Sequence, residues 1–183
     1  MTRRLLLTAL AAAALGLAAC GNKQATITAG DSEAEFVTLG SMQYQVQLSR
    51  QLNSSDTGDR ALLIGIPPAA RGIGPKQVWF GVWVRVTNKS GTPARSADQF
   101  TIMDTRGRTY QPVALQPVNA FAYRPSVVKS TYPTLNSVSS NTPPGGAFLL
   151  FKLPLDALDF RPLKLDFANS SAPAKISSVT LDV

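Results

Sequence analysis

The sequence predicts an all-β fold, a two-sheet antiparallel sandwich, on three observations. Apolar and polar residues alternate with period two in segment after segment from Met42 onward. Turn-forming clusters separate these segments. No stretch after Cys20 sustains a 3.6-residue apolar period for three turns. Roughly seven to nine short strands in about 140 residues favour a sandwich, with a small closed barrel as the alternative architecture.

Each element has its own warrant. Tyr44, Val46 and Leu48 point one way and Gln45, Gln47 and Ser49 the other, which makes a half-buried strand. Ala61–Ile64 is a short apolar run before the loop from Gly65 to Lys76. Val78, Phe80, Val82, Val84 and Val86 form the inward row of the strongest strand, and Trp79, Gly81, Trp83, Arg85 and Thr87 its opposite row. Asn88–Pro93 is a turn cluster. Phe100–Met103 and Arg108–Val113 flank a tight turn at Asp104-Thr105-Arg106-Gly107. Ala147–Leu153, apolar except for Lys152, reads as a central strand buried on both faces. Asp156–Phe160 allows one helical turn at most, and the alternating residues 163–167 and 178–183 close the sheets. With no internal repeat and no composition break after residue 41, residues 41–183 form one domain.

The N-terminus supplies an address. Met1-Thr2-Arg3-Arg4 is a short basic region, Leu5–Leu15 a Leu- and Ala-rich apolar run interrupted by Thr8, and Leu17-Ala18-Ala19-Cys20 closes it. A permanent membrane-spanning helix needs about 20 apolar residues, so this pattern reads as an export signal. Leu17–Cys20 resembles the lipobox of bacterial lipoproteins, in which the Cys thiol takes a diacylglycerol before cleavage on its N-terminal side. That resemblance implies a signal peptide over 1–19, lipid attachment (diacylglycerol and palmitate) at Cys20 and an extracytoplasmic domain anchored to a bacterial membrane. Residues 2–6 also look faintly like a twin-arginine signal, but the strongly apolar run favours the general secretory route. Gly21, rather than Asp, after the Cys resembles outer-membrane sorting in a Gram-negative cell. Residues 20–40 are polar and without periodicity, so they read as a tether, with a reach of about 25 Å for some twenty flexible residues.

Further along, Trp83–Ser90, then Phe100–Asp104 with Gly107 and Tyr110, then Pro143–Gly146 leading into Phe148–Pro154 resemble the immunoglobulin-like domain of unknown function found in bacterial, especially actinobacterial, surface lipoproteins. That domain is similar in fold to a small secreted mycobacterial immunogenic protein. The resemblance covers about residues 41–183 and implies an immunoglobulin-like sandwich, an extracytoplasmic location and no catalytic residue. The long stretch from Gln116 to Thr142 departs from the family pattern. The same motifs also have plain local roles, with Asp104 capping its own turn and Gly107 taking a positive φ.

Composition narrows the chemistry. The 183 residues include no His and one Cys, with 18 Lys+Arg against 11 Asp+Glu. Without His there is no Ser-His-Asp or Cys-His catalysis and no His-ligated zinc or blue copper, and one Cys makes no intramolecular disulfide. Ser126-Val127-Val128-Lys129, Ser139-Ser140-Asn141 and Lys89-Ser90-Gly91 echo the serine-acylase elements of penicillin-binding enzymes. The first of these needs a helix, and Pro125 and Pro133 bracket it. No Asp-x-Asp-x-Asp loop, paired carboxylate or methionine group points to a metal, and no cofactor is expected.

Binding is therefore the expected role. Trp79 and Trp83 share a strand face and could form a stacking platform for a sugar ring, or could be covered by a loop or the second sheet. The Gln116–Thr142 stretch is long for a loop and carries Tyr and Arg, residues enriched at protein interfaces. Its Tyr123, Arg124, Lys129 and Tyr132, with Arg106 and Arg108 of the Asp104 turn, are the candidate partner-binding residues. Residues 60–129 carry ten Lys+Arg and two Asp+Glu, whereas residues 20–59 carry two and five. A basic middle on a lipid-tethered domain suggests anionic headgroups or envelope polymers as the alternative ligand. Export and the lack of a recognition motif make nucleic acid a poor partner. The favoured reading is a non-enzymatic binding or scaffolding module for an envelope protein.

Overall fold

The computed structural model describes residues 26–183; residues 1–19, expected to be a signal peptide, and the expected lipid attachment point Cys20 lie outside the described residues. Two sheets make the sandwich. One runs β10 (Ala147–Pro154), β4 (Gln77–Asn88), β3 (Met42–Leu52), β2 (Val37–Leu39), with β9 (Thr131–Tyr132) also paired to β4. The other runs β1 (Ala29–Gly30), β12 (Ile176–Leu181), β11 (Leu163–Ala168), β6 (Gln99–Met103), β7 (Thr109–Tyr110). A two-stranded pair, β5 (Ala94–Arg95) with β8 (Val127–Val128), closes one end. All of these pairings are antiparallel except β1 with β12.

The expected inward row of β4 packs against the second sheet. Val78, Phe80, Val82, Val84 and Val86 share one buried cluster with Phe100, Ile102, Leu163, Leu165, Phe167, Val179 and Leu181. The opposite row is buried too. Trp79 and Trp83 are each 4% exposed, packed with Leu52, Leu62, Ile66, Leu115, Ala122, Phe148 and Leu150. The cover is helix α1 (Thr57–Leu62), the loop after it and the segment around residues 113–122. Burial on both faces is why β4 has no polar side chain from Val78 to Val84.

Three expectations change. Tyr44, Val46 and Leu48 do not share a face, because the register with β4 shifts between Val46 and Leu48. This bulge adds one residue, so Tyr44 and Val46 point into the inter-sheet core while Leu48 packs against the tryptophan cluster. Ala147–Leu153 is buried on both faces but is the last strand of its sheet. Its outer edge is satisfied by irregular chain: Val113 N donates to Leu150 O at 2.7 Å, Phe148 N to Phe121 O at 2.8 Å and Tyr123 N to Phe148 O at 2.8 Å. A continuous apolar run records buried faces, not rank in the sheet.

The third change is the N-terminal boundary. The sandwich starts at Ala29, not at residue 41, because β1 pairs with β12 and β2 with β3. Val37 is fully buried. Glu33 accepts from Ser49 N at 3.0 Å, from the Ser49 hydroxyl, and from Asp182 N at 3.1 Å. The acidic residues that read as tether are thus partly local anchors, and strands of two and three residues are too short to show alternation.

Among the described residues helix formation is confined to short pieces. Asp56 caps α1 by accepting from Asp59 N at 2.9 Å, and Ser137 caps the single turn α2 (Val138–Asn141). Residues 155–159 form a 3-10 turn. Among the described residues no helix is long and apolar enough to cross a membrane.

Candidate functional site

The six candidate side chains do not converge. Tyr123, Arg124 and Tyr132 lie together, but they hold the chain rather than face outward. Tyr123 is 7% exposed; its hydroxyl donates to Ala97 O at 3.0 Å, and its ring meets Phe100 and Tyr132 edge-on at 4.8 and 5.3 Å. The Tyr132 hydroxyl accepts from Arg124 N at 2.7 Å. The Arg124 guanidinium donates to Leu115 O at 2.7 Å and Gln116 O at 2.6 Å. Burial pushes both tyrosine pKa values up, Tyr123 well above the ordinary range. These three residues are therefore corrected from partner contacts to fasteners of the 116–142 stretch. The outward apolar residues of that stretch include Val118, Leu135 and Val138, at 66%, 73% and 52% exposure.

Arg106 and Arg108 sit at the opposite end of the sandwich from Lys129, in an ion-pair cluster. Gly107 takes φ +79° and closes the turn on Asp104 O. The buried Asp104 carboxylate accepts from the backbone N of Arg106 and of Arg108 at 3.0 Å each, from Arg108 Nε at 2.8 Å and from the Tyr110 hydroxyl at 3.0 Å. Asp156 bridges both guanidinium groups at 3.1 Å, and Arg106 stacks on Phe160 at 3.3 Å from the ring centre. Burial alone would raise the Asp104 pKa, but the hydrogen bonds from Arg108 and Tyr110 outweigh it and hold the carboxyl below its usual range. Two cations face two anions here, so this cluster ties a turn to the 155–159 turn and presents little net positive charge.

The other motifs resolve by geometry. Val127–Val128 is strand β8, so no helical turn stacks Lys129 over Ser126; Ser126 N donates to Ser96 Oγ at 3.0 Å instead. Trp79 and Trp83, covered by α1 and its neighbours, offer no open face to a sugar ring. Among the described residues no group of three or more His, Cys, Asp or Glu side chains is placed to hold a metal ion.

A different set of residues does converge, at the end where the N-terminal segment enters. Lys89, Arg95, Lys129 and Lys175 are all exposed there and, among the described residues, make no ion pair. Hydrogen bonds tie their loops together. Lys89 N donates to Ser41 O, Asn88 N to Ser130 O, and the Asn88 side chain to Thr92 O and Val128 O. The Asn169 amide donates to Arg95 O and Ser96 O at 3.2 and 3.3 Å, opening the loop that ends at Lys175. A cavity of about 250 Å³ lies between the β2–β3 turn and that loop, with Arg95 and Lys175 on its wall. Of these four cations only Lys129 was legible as a candidate; Lys89 and Arg95 lie well before it in the chain and Lys175 well after it, on turns that only strand pairing brings together.

The strands define the chain as an all-β, two-sheet sandwich protein. No family model matches it, and no curated protein matches it. Among solved structures it is similar to the yjhA protein from Bacillus subtilis, at 12% identity and a TM-score of 0.45 over 83% of this chain and 99% of that one. It is also similar to an uncharacterized beta-sandwich protein from Clostridium difficile 630, at 8% identity and a TM-score of 0.43 over 84% of this chain and 95% of that one.

Proposed function

We propose that the chain is an extracytoplasmic lipoprotein, anchored to a bacterial membrane through Cys20, whose immunoglobulin-like sandwich is a non-enzymatic binding or scaffolding module for an envelope protein. The anchor rests on the Leu17–Cys20 motif after its apolar run. The observation that carries the binding role is the build of the 116–142 stretch. It turns its aromatic residues inward and sets Val118, Leu135 and Val138 outward. A segment fastened by Tyr123, Arg124 and Tyr132 yet leaving apolar side chains in water is suited to contact another protein without a large ordering cost.

A photo-crosslinking residue placed at 118, 135 or 138 in cells is expected to capture one envelope protein, while the same residue at Lys76 captures none. No adduct at any of the three positions, beside a working positive control, would overturn the partner reading. For the anchor, Cys20→Ala is expected to leave the protein uncleaved or released from membranes, whereas unchanged membrane retention of a processed chain would overturn it.

A further inference from the structure

We infer that the end of the sandwich bearing Lys89, Arg95, Lys129 and Lys175 docks on the anionic phospholipid surface of the membrane that carries the anchor. The inference rests on the lipid-anchor reading of Cys20 and adds to it the orientation of the domain.

Chain direction puts this end against the membrane. β1 runs parallel to β12, with Ala29 beside Ser178 and Ser178 N donating to Thr28 O. The same register sets Ile27 beside Ile176, and Thr38 N donates to Ile27 O. The incoming chain therefore meets the sandwich where β12 begins, next to Lys175. From Cys20 to Thr26 the chain spans on the order of 20 Å at full extension, less than the ~36 Å length of a strand such as β4. A lipid on Cys20 thus holds this end closer to the headgroups than the far end, where Lys76 precedes β4.

The surface there suits an anionic bilayer in two respects. None of its four cations is in an ion pair among the described residues; of the carboxylates nearby, Asp98 is occupied by Ser170 N at 2.7 Å and the Ser170 hydroxyl at 2.5 Å, and Asp166 shares a groove with Ile176. Glu33, which enters on the same segment, is carried past this end to Ser49 and Asp182. Between the cations stand exposed apolar side chains, Ile27 at 52%, Val127 at 62% and Ile176 at 61%. Val127 is paired directly with Arg95. Basic and apolar residues mixed on one face fit the boundary between headgroups and acyl chains, where charge attracts and apolar side chains enter. The notch walled by Arg95 and Lys175 has room for a phosphate headgroup. Three other basic residues are taken up in ion pairs, Arg50 with Asp59, and Arg106 and Arg108 with Asp104 and Asp156.

The test uses the chain from Cys20 onward, which carries all twelve strands, and couples its single thiol to a maleimide lipid. That supplies the tether whether or not cells acylate Cys20; acylation itself is read separately, from the mass of the N-terminal peptide of the cell-derived protein. Lysine acetylation rates are measured by mass spectrometry on phosphatidylcholine vesicles with and without phosphatidylglycerol. Lys89, Lys129 and Lys175 are expected to react several-fold more slowly on the anionic vesicles, with Lys76 and Lys164 unchanged, and the protection to vanish near 1 M salt. Equal rates on the two kinds of vesicle would overturn the proposal. So would protection of the same lysines by soluble polyphosphate with none on the vesicles, which would assign the face to a free anionic polymer.

Discussion

The Asp59 carboxylate holds the Arg50 guanidinium through two hydrogen bonds, at 3.0 and 2.5 Å, with Asp59 itself 4% exposed. Asp59 also accepts from Asn53 N at 2.8 Å, and Arg50 lies 5.4 Å from the centre of the Trp83 ring. One carboxylate thus joins the end of β3 to the helix that covers the tryptophans. Asp59→Ala is expected to lower stability by about 2 kcal/mol, the scale for losing a buried charged hydrogen-bond partner, as read by urea unfolding. The Arg50 hydrogen bond, opposed by burial, holds the Asp59 pKa below 3.8. A depressed carboxylate contributes stability that is present above its unfolded pKa and lost as pH falls through the folded one. Wild type should therefore lose part of its margin over the variant below about pH 4.

Gly81 is needed for space, not for backbone freedom. A Cβ there would lie 2.6 Å from Phe148 Cε2 and 3.0 Å from Trp83 Cη2. Gly81→Ala is expected to destabilise by about 1–3 kcal/mol through overpacking. Pairing it with Phe148→Leu should recover part of the loss, and additive losses in the double variant would count against this account.

All four tyrosines, Tyr44, Tyr110, Tyr123 and Tyr132, have pKa values raised above 10.0, in each case with burial as the largest cause. Tyr44 and Tyr110 reach about 12. An ultraviolet titration of the folded protein should show little tyrosinate near pH 10, and a full signal once the chain is unfolded. Because the folded values are raised, this contribution to stability is complete below pH 10 and declines as pH climbs through about 12.

The Ala97 peptide is gripped on both sides: its N donates to the Tyr44 hydroxyl at 2.7 Å, and its O accepts from Tyr123 at 3.0 Å. Tyr44→Phe leaves a buried N–H unpaired and is expected to cost about 1–3 kcal/mol. Tyr123→Phe should cost the same or less, and hydrogen exchange at the Ala97 amide should accelerate most in Tyr44→Phe.

Val37 and Glu33 test where the domain begins. Val37→Ala is expected to cost about 1–2 kcal/mol, the transfer and cavity terms for a buried branched side chain. Glu33→Ala should cost about 1 kcal/mol through the Ser49 and Asp182 bonds. Neutral results in thermal unfolding would return residues 29–40 to the role of tether.

Much of this fold is legible in the residues themselves. Alternation through Val78–Val86 marks a core row because side chains in a strand repeat every two residues, and Asp104-Thr105-Arg106-Gly107 marks its turn because glycine takes the positive φ. The bulge near Gln47 escapes such a reading. An extra residue in a strand changes which face Leu48 occupies without changing the spacing of apolar residues in the sequence. Tyr123, Arg124 and Tyr132 have the composition of an interface, but composition does not say which way a side chain points. Here the carbonyls of Leu115 and Gln116 and the peptide of Ala97 draw them inward.

The sequence by itself determined the all-β class, the inward row of β4 and the exclusion of His-dependent chemistry, since each is a local pattern or a count. Tertiary structure alone decided that the tryptophans are core, that Arg106 and Arg108 are neutralised by Asp104 and Asp156, and that Lys89, Arg95, Lys129 and Lys175 share one end. Those outcomes depend on which turns the antiparallel pairings bring side by side, and residues tens of positions apart become neighbours only once the strands have set their register.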